Sequence, residues 1–190
     1  MSSRARAIAA RFLDPSRPFD RHHHYYALAK LATDPLYEGV CAELHMRALP
    51  ILDVGCGIGL LAHRLRAEGI DSPYVGTDFD PRKIAQARAA AERGRLRDVR
   101  FVAGDASAGL PPHAGDVCIL DVLQFLPDAD TQVALIAAAI ARVAPGGKLV
   151  MRTGLDDGSA RGTITVLVDR LSRLWGWMRA GPRHYPPLAQ

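Results

Sequence analysis

The sequence has few cysteines, few aromatic residues and no long uncharged run. Its three cysteines, Cys41, Cys56 and Cys118, lie in apolar surroundings without CxxC spacing, which suggests neither a disulfide framework nor a zinc site. No uncharged stretch approaches the roughly 20 residues of a membrane-spanning helix. The N-terminal MSSRARAIAARFL is interrupted by arginines, so a signal peptide is not predicted. A reducing cytoplasm is the compartment that fits best.

The chain carries little net charge for its size, with 24 Lys and Arg against 20 Asp and Glu. Its arginines are spread along helical patterns, without interleaved aromatics or the signature of a nucleic-acid-binding module. We interpret them as a solvated surface and do not expect a nucleic-acid partner. At 190 residues and 48% hydrophobic content, the chain can bury one core, which predicts one structural domain.

Helices are predicted first, and strands alternate with helices afterwards. Helical patterns over 3–13, about 20–32 and 35–48 form an N-terminal helical lid, residues 1–48. A core over 49–180 follows, with helices predicted over 58–68, 80–93 and the stretch DADTQVALIAAAIARVAPGG. The strand segments are PILDV, PYVGTD, DVRFVAGD, GDVCILDVL and GKLVMRT. Such apolar strands between helices indicate an α/β doubly wound, parallel sheet with helices on both faces.

A glycine-rich turn interrupts the apolar stretch ILDVGCGIGLLAHRL, residues 51–65. Gly55, Gly57 and Gly59 follow the first strand, at the edge of a parallel sheet where ligands bind. Glycine lets the backbone approach a ligand closely, and free amides at a helix start favour negative charge. A dinucleotide and a nucleoside with an amino-acid tail both fit this description.

The residues at and near the turn, most of them acidic, distinguish between these two ligands. Leu60 stands where a dinucleotide fingerprint has its third glycine, and Asp53 would repel a pyrophosphate but attract an ammonium group. Asp78 ends the second strand, at a distance suited to ribose hydroxyls. Asp105 ends the third strand, where it can accept from the amino group of an adenine. A ribose, an adenine and a charged amino-acid tail together describe S-adenosylmethionine.

The order and spacing of five segments resemble the class I, Rossmann-like S-adenosylmethionine-dependent methyltransferases. The segments, within about 49–153, are ILDVGCGIG, VGTDFD, VAGDA, GDVCILDVLQFLP and APGGKLVMR. The resemblance implies a mostly parallel Rossmann-like sheet, an S-adenosylmethionine site with S-adenosylhomocysteine as product, and no metal. The residues that it places around the methionine portion are Asp53, Gly55, Cys56 and Gly57, and it places Asp78 at the ribose hydroxyls. Phe79, Asp105 and Ala106 would surround the adenine, and Asp121 and the backbone near Leu120 would face the methionine ammonium or the acceptor.

The methyl acceptor is predicted to be a small molecule. The stretch LDVLQFLP lacks the Asn/Asp-Pro-Pro-aromatic tetrapeptide of enzymes that methylate base amines or glutamine amides. It resembles instead the small-molecule branch, whose acceptors are hydroxyls, carboxylates or carbons, with Gln124 in place of a common histidine. An aromatic or acyl intermediate of secondary metabolism in a bacterium is our expectation, and the N-terminal segment resembles methyltransferases of aryl-polyene pigment pathways.

The stretch DRHHHYYALAKLA is the predicted source of a general base. We name His23, His24 and Tyr25 as catalytic candidates, because segments at this place fold over cofactor and acceptor in similar enzymes. At most two or three of the residues 22–26 can share one helical face, so a buried structural role and metal binding stay open for the others.

The end of the sequence departs from the pattern of the family. A helix is predicted over 158–178, but the tail 181–190 contains three prolines and cannot form the two further strands that members add. We expect either a truncated chain or a sheet edge covered by a partner or a second copy. A membrane-surface role for RLSRLWGWMRAG is a further alternative. The rival functions are an RNA methyltransferase, an inactive cofactor-binding partner subunit and, last, a dehydrogenase.

Overall fold

The computed structural model describes residues 2–16 and 19–153. Its helices, in chain order, are α1 (Ser3–Ala9), α2 (His22–Thr33), α3 (Leu36–Leu44), α4 (Leu60–Ala67), α5 (Pro81–Gly94) and α6 (Ala129–Ile140). Its strands are β1 (Ile51–Val54), β2 (Tyr74–Asp78), β3 (Val99–Ala103), β4 (Asp116–Leu120) and β5 (Leu149–Arg152). Short 3₁₀ turns cover Ala10–Phe12 and Leu123–Phe125. The predicted helix over 158–178, the tail 181–190 and the suggested membrane surface lie outside the described residues.

The five strands form one parallel sheet in the order β3-β2-β1-β4-β5. Ile51 of the central strand pairs with Tyr74 on one side and with Asp116 on the other. The winding direction reverses between β1 and β4, and in such sheets the crevice at this switch point takes the ligand. The predicted doubly wound, Rossmann-like fold is confirmed.

The sequence signals place most helix starts correctly. The Asp80 side chain accepts a hydrogen bond from the amide of Arg82, with Pro81 as the first residue of α5. In the same way, Asp128 caps α6 by accepting from the amide of Thr131. Both helices therefore begin within one residue of their predicted starts, residue 80 and the first residue of the stretch DADTQVALIAAAIARVAPGG.

Several predicted helix ends are wrong by a few residues. Helix α3 ends at Leu44 and not at residue 48, because Met46 adopts a left-handed φ of 60° that a helix cannot continue through. Helix α4 begins at Leu60 and not at residue 58, because Gly59 has a φ of +81°. The first helix keeps α geometry only to Ala9 before a 3₁₀ turn. Helix α6 ends at Ile140, well before the Pro-Gly-Gly stretch.

The core lies on both faces of the sheet. One face packs residues of α3, α4 and α5, such as Leu44, Leu65 and Ile84, against Ile51 and Tyr74. The other face packs Leu135 and Ala139 of α6 against alternate residues of β1 and β4, namely Leu52, Val54, Val117 and Ile119. Because side chains alternate along β1, Asp53 shares the α3–α5 face with Ile51.

Helices α1 and α2 pack together beside this body. Ile8, Phe12 and Ala27 are buried against Ile58 and Ala90. No helix in residues 2–16 and 19–153 is long and apolar enough to cross a membrane.

Candidate functional site

The turn after β1 requires its glycines. Gly55, Gly57 and Gly59 all have positive φ, of 76°, 56° and 81°. A Cβ added to Gly55 would lie 2.2 Å from Cγ2 of Val122, whereas one added to Gly57 would meet no atom within 4 Å. The backbone at Gly57 therefore faces open space, where a ligand can approach it.

The amides of this turn are engaged within the chain. The Thr77 carbonyl accepts hydrogen bonds from Gly55 N at 2.7 Å and from Cys56 N at 2.9 Å, so the pairing of β1 with β2 continues into the turn. Gly57 N donates to Oδ2 of Asp78 at 3.0 Å. The sequence-based expectation of free amides that favour an anion is wrong for these three groups. This turn offers a phosphate little of what a phosphate-binding loop supplies.

Asp78 is fixed at the end of β2 by two backbone amides. Its carboxylate accepts from Gly57 N through Oδ2 and from Asp80 N at 2.9 Å through Oδ1, and the residue is 5% exposed. A carboxylate has about four lone-pair positions, so two remain for other donors. Asp78 thus presents acceptors, at a defined position, to any ligand beside the glycine turn.

Asp53 is buried beneath the same turn. It is 2% exposed, and the Tyr74 hydroxyl donates a hydrogen bond to its Oδ2. Burial raises the pKa of Asp53 to about 7, against the lowering effect of the Tyr74 hydrogen bond and together with the negative charge of Asp78. Cys56, beside these carboxylates, is buried, and that burial raises the pKa of its thiol well above the ordinary value. A neutral thiol of this kind is not a nucleophile.

The residues predicted to bind adenine follow the neighbouring strands. Phe79, after β2, is 47% exposed, and Nζ of Lys83 lies 6.0 Å from its ring centroid. Asp105, after β3, is exposed and accepts hydrogen bonds from Ser107 N at 2.9 Å and from its Oγ at 2.7 Å. Ala106 beside it is partly buried. An apolar ring and a carboxylate thus lie at adjacent strand ends, as the resemblance implies.

Asp121 is tied to an arginine that the sequence analysis did not single out. Leu120 ends β4, and Asp121 follows it with a left-handed φ of 57°. Nε of Arg152, at the end of β5, donates to Oδ1 of Asp121 at 2.8 Å, and Nη2 donates to Oδ2. The same guanidinium donates to Oδ1 and Oδ2 of Asp34 at 2.5 and 2.9 Å. One arginine therefore joins the α2–α3 turn to the carboxyl ends of β4 and β5.

Helix α2 presents a polar face towards this arginine. His23, Tyr26 and Lys30 are spaced to share one face of the helix, and Nζ of Lys30 donates to Asp34 at 3.1 Å. Burial lowers the pKa of His23, as does the neighbouring His22, while Asp20 opposes them.

Two tyrosines near this cluster stay protonated. Tyr26 is 39% exposed as a residue, but desolvation of its hydroxyl raises its pKa, and the charges of Asp121 and Asp34 add to that effect while Lys30 opposes it. Burial also raises the pKa of Tyr37 well above its ordinary value, and the nearby negative charges raise it further. Both hydroxyls are therefore hydrogen-bond donors at neutral pH.

The other two catalytic candidates point elsewhere. His24 Nδ1 lies 2.9 Å from the carbonyl of Ala9, which can only accept, so the ring donates there and anchors α2 to α1. Tyr25 is 58% exposed and packs edge-on against the His24 ring. His23, His24 and Tyr25 remain predicted catalytic residues, and the structure brings His23 alone of the three to the helix face of Tyr26 and Lys30.

The sequence analysis missed Asp34, Tyr37 and Arg152 as members of the site. Asp34, one residue before Pro35, the N-cap of α3, accepts a hydrogen bond from Leu36 N at 3.0 Å. Arg152 ends a strand adjacent to β4, and that position was the available signal. In the part of the chain that the structure describes, no group of His, Cys, Asp and Glu side chains is arranged to hold a metal ion.

Comparison with known proteins identifies a family and relatives for this chain. Residues 51–147 match the family described as "Methyltransferase domain". Similar curated proteins include ubiquinone biosynthesis O-methyltransferases of Psychrobacter cryohalolentis (29% identical, 59% of this chain and 43% of the relative) and Xanthomonas euvesicatoria (29%, 94% and 70%). Trans-aconitate 2-methyltransferase of Rhizobium meliloti is 35% identical over 54% of this chain and 37% of its own length.

Solved structures show the same fold. An O-methyltransferase family protein from Burkholderia thailandensis superposes with a TM-score of 0.63 at 23% identity, over 93% of this chain and 53% of that one. The mitomycin 7-O-methyltransferase MmcR gives a TM-score of 0.62 at 20% identity, over 85% and 47%. The chain spans less than half the length of the Psychrobacter and Rhizobium relatives. Because the family match covers residues 51–147, just over half of the chain, this protein belongs to the methyltransferase domain family.

Proposed function

We propose that the chain binds S-adenosylmethionine and transfers its methyl group to a small-molecule acceptor. The observation that carries this proposal is the glycine turn, whose Gly55, Cys56 and Gly57 amides are hydrogen-bonded internally above the carboxylates of Asp53 and Asp78. Such a turn suits a positively charged nucleoside better than a pyrophosphate.

The residues present fit S-adenosylmethionine in charge and in shape. The open space at Gly57 admits the ligand, and the Asp53 and Asp78 carboxylates suit a ligand with an ammonium group and ribose hydroxyls. Phe79 would stack on the adenine, Asp105 would accept from its amino group, and the Ala106 amide would donate to a ring nitrogen. When bound, the cofactor supplies a methyl group that its sulfonium already activates.

The chain's own task is to orient the acceptor, exclude water and remove a proton where the acceptor is a hydroxyl. We propose His23 as the base, because its spacing puts it on the helix face of Tyr26 and Lys30 and burial lowers the pKa of its ring. Tyr26 and Tyr37, which stay protonated, would donate hydrogen bonds to an acceptor oxygen. Arg152 donates hydrogen bonds to Asp121 and to Asp34, and so fixes the carboxyl end of β4 against the α2–α3 turn.

An oxygen acceptor is the proposal that the relatives support. The relatives are named for O-methylation in ubiquinone biosynthesis and for trans-aconitate, a carboxylic acid. We infer a hydroxyl or carboxylate acceptor for this chain, with an aromatic or acyl intermediate of secondary metabolism as the narrower proposal and a bacterial cytoplasm as the setting.

Several arginines are occupied in a way that supports a small acceptor over RNA. Arg66, Arg88 and Arg142 each donate hydrogen bonds to backbone carbonyls of the chain itself. Guanidinium groups used in this way hold loops and strand ends together and offer fewer donors to phosphates.

A transfer assay tests the proposal. The full chain is incubated with methyl-labelled S-adenosylmethionine and separate sets of phenols, small carboxylic acids and total RNA, with Asp78→Asn as the matched variant. We expect label in a phenol or a carboxylic acid, and a loss of at least tenfold in the variant. Label in RNA would move the proposal to an RNA methyltransferase, and cofactor binding without transfer to any set would support an inactive partner subunit.

A further inference from the structure

The hydroxyl of Tyr74 lies beneath the glycine turn, where it contacts Asp53. Tyr74 opens β2 opposite Ile51, and Asp53, two residues along β1, lies on the same face of the sheet. The Tyr74 side chain is 1% exposed, its ring packs edge-on against Phe101 at 5.9 Å between centroids, and its hydroxyl donates to the Asp53 carboxylate. A fully buried tyrosine placed in this way has its hydroxyl committed to one acceptor.

The strand geometry leaves room for this contact. Gly76 lies opposite Asp53 in the pairing of β1 with β2. A Cβ at Gly76 would come within 2.9 Å of Cys56 and within 2.8 Å of the Phe101 ring. The absence of a side chain at Gly76 therefore lets the turn close down over this part of the sheet.

The titratable groups around Asp53 come from four elements. Strand β2 contributes Asp78 and Tyr74. The glycine turn contributes Cys56, β4 contributes Cys118, and α3 contributes Tyr37. The negative charge of Asp53 raises the pKa of each of these three groups. Cys56, Cys118, Tyr74 and Tyr37 are neutral at neutral pH because burial raises their pKa values. The Tyr74 hydrogen bond is thus the contact that favours the ionised form of Asp53, against burial and the charge of Asp78.

We propose that Tyr74 is a positioning residue whose hydrogen bond favours the ionised form of Asp53, the form required for binding the cationic amino-acid end of the cofactor. The inference rests on the proposed function and extends it to a buried residue that the resemblance does not place in the site. A positive group above β1 stabilises the Asp53 carboxylate, so ligand binding drives a proton off Asp53 into solvent. The site then binds its ligand more tightly as the pH rises through neutrality.

The size of the effect follows from proton linkage. With Asp53 half-protonated near pH 7 in the free chain and ionised in the complex, the affinity for S-adenosylhomocysteine falls about tenfold from pH 8 to pH 6. Replacing Tyr74 by phenylalanine keeps the buried ring and removes the donor. If that raises the Asp53 pKa by one unit, the fall over the same range becomes about 50-fold.

The experiment is a calorimetric titration of the full chain with S-adenosylhomocysteine at pH 6, 7 and 8, in buffers of different ionisation enthalpy. The heats give the number of protons released on binding. The variants are Tyr74→Phe and, as the matched control, Ser72→Ala, which also removes a buried hydroxyl, one that donates to the Arg47 carbonyl away from the glycine turn. The carboxyl carbon of Asp53 is titrated in parallel by NMR without ligand.

We expect about 0.5 protons released at pH 7 by the parent and by Ser72→Ala, and about 0.9 by Tyr74→Phe. The NMR midpoint of Asp53 should be higher in Tyr74→Phe than in the parent. Binding by the parent with no proton release, or identical profiles for the parent and Tyr74→Phe, would overturn the inference and leave the proposed function standing. Absence of binding by the parent at every pH would overturn both.

Discussion

Replacing Asp53 by asparagine should stabilise the chain while weakening cofactor binding. The folded chain shifts the Asp53 pKa from 3.8 to about 7 because the carboxylate is buried. Between these values the folded chain keeps a proton that the unfolded chain releases, so the stability of the parent falls as the pH rises from about 4 to about 7 and is level above that. At pH 8 a shift of three units corresponds to about 4 kcal/mol of unfolding free energy.

An asparagine has no charge to bury and so avoids this loss of unfolding free energy. Its side-chain N–H groups, where they stay unpaired in the buried site, destabilise the folded chain by about 1–2 kcal/mol. We expect Asp53→Asn to be more stable than the parent by about 2 kcal/mol at pH 8 and nearly equal to it at pH 5. Urea unfolding at both pH values measures this, with the exposed Asp71→Asn as the control that should change little. A stability difference that is the same at pH 5 and pH 8 would refute the argument that Asp53 titrates near neutrality.

Further predictions concern the glycine turn, the hydrogen bonds of Arg152 to two aspartates, and the buried Asp116 at the start of β4. Gly55→Ala should cost about 2–4 kcal/mol in urea unfolding, because a Cβ there overlaps a valine methyl at 2.2 Å in a left-handed backbone. Gly57→Ala, with open space around its Cβ, should cost only about 1 kcal/mol but weaken S-adenosylhomocysteine binding at least tenfold by calorimetry. Arg152→Gln should speed amide hydrogen exchange in α2 and α3 about tenfold, since two aspartates lose their shared donor. Asp116→Asn should cost about 1–3 kcal/mol by urea unfolding, because the buried carboxylate accepts hydrogen bonds from Arg47 and from Lys148 N while Arg47 itself is partly exposed.

The sequence was sufficient for the parts of the fold that depend on local pattern. Apolar strand segments, the caps Asp80 and Asp128, and the glycines after β1 are readable one segment at a time, and parallel strands bring their carboxyl ends to one edge. The predicted neighbourhood of Asp53, Asp78 and the glycine turn follows from these signals alone.

Contacts between distant segments could not be predicted in the same way. Asp34 and Arg152 are 118 positions apart, and nothing local indicates that one guanidinium joins them. The amides of Gly55 and Cys56 are engaged because the Thr77 carbonyl continues the pairing of β1 with β2, which depends on the register of two strands. The Tyr74 hydroxyl likewise reaches Asp53 across the sheet, so its role becomes visible only in the folded chain.

The central claim is that the glycine turn binds a cationic nucleoside rather than a dinucleotide. Calorimetric titration of the full chain at pH 8 with S-adenosylhomocysteine and, separately, with NADH tests it most directly, with Asp78→Asn as the control because that carboxylate accepts from Gly57 N. The account predicts binding of S-adenosylhomocysteine alone, weakened at least tenfold in the variant. Binding of NADH alone would contradict it.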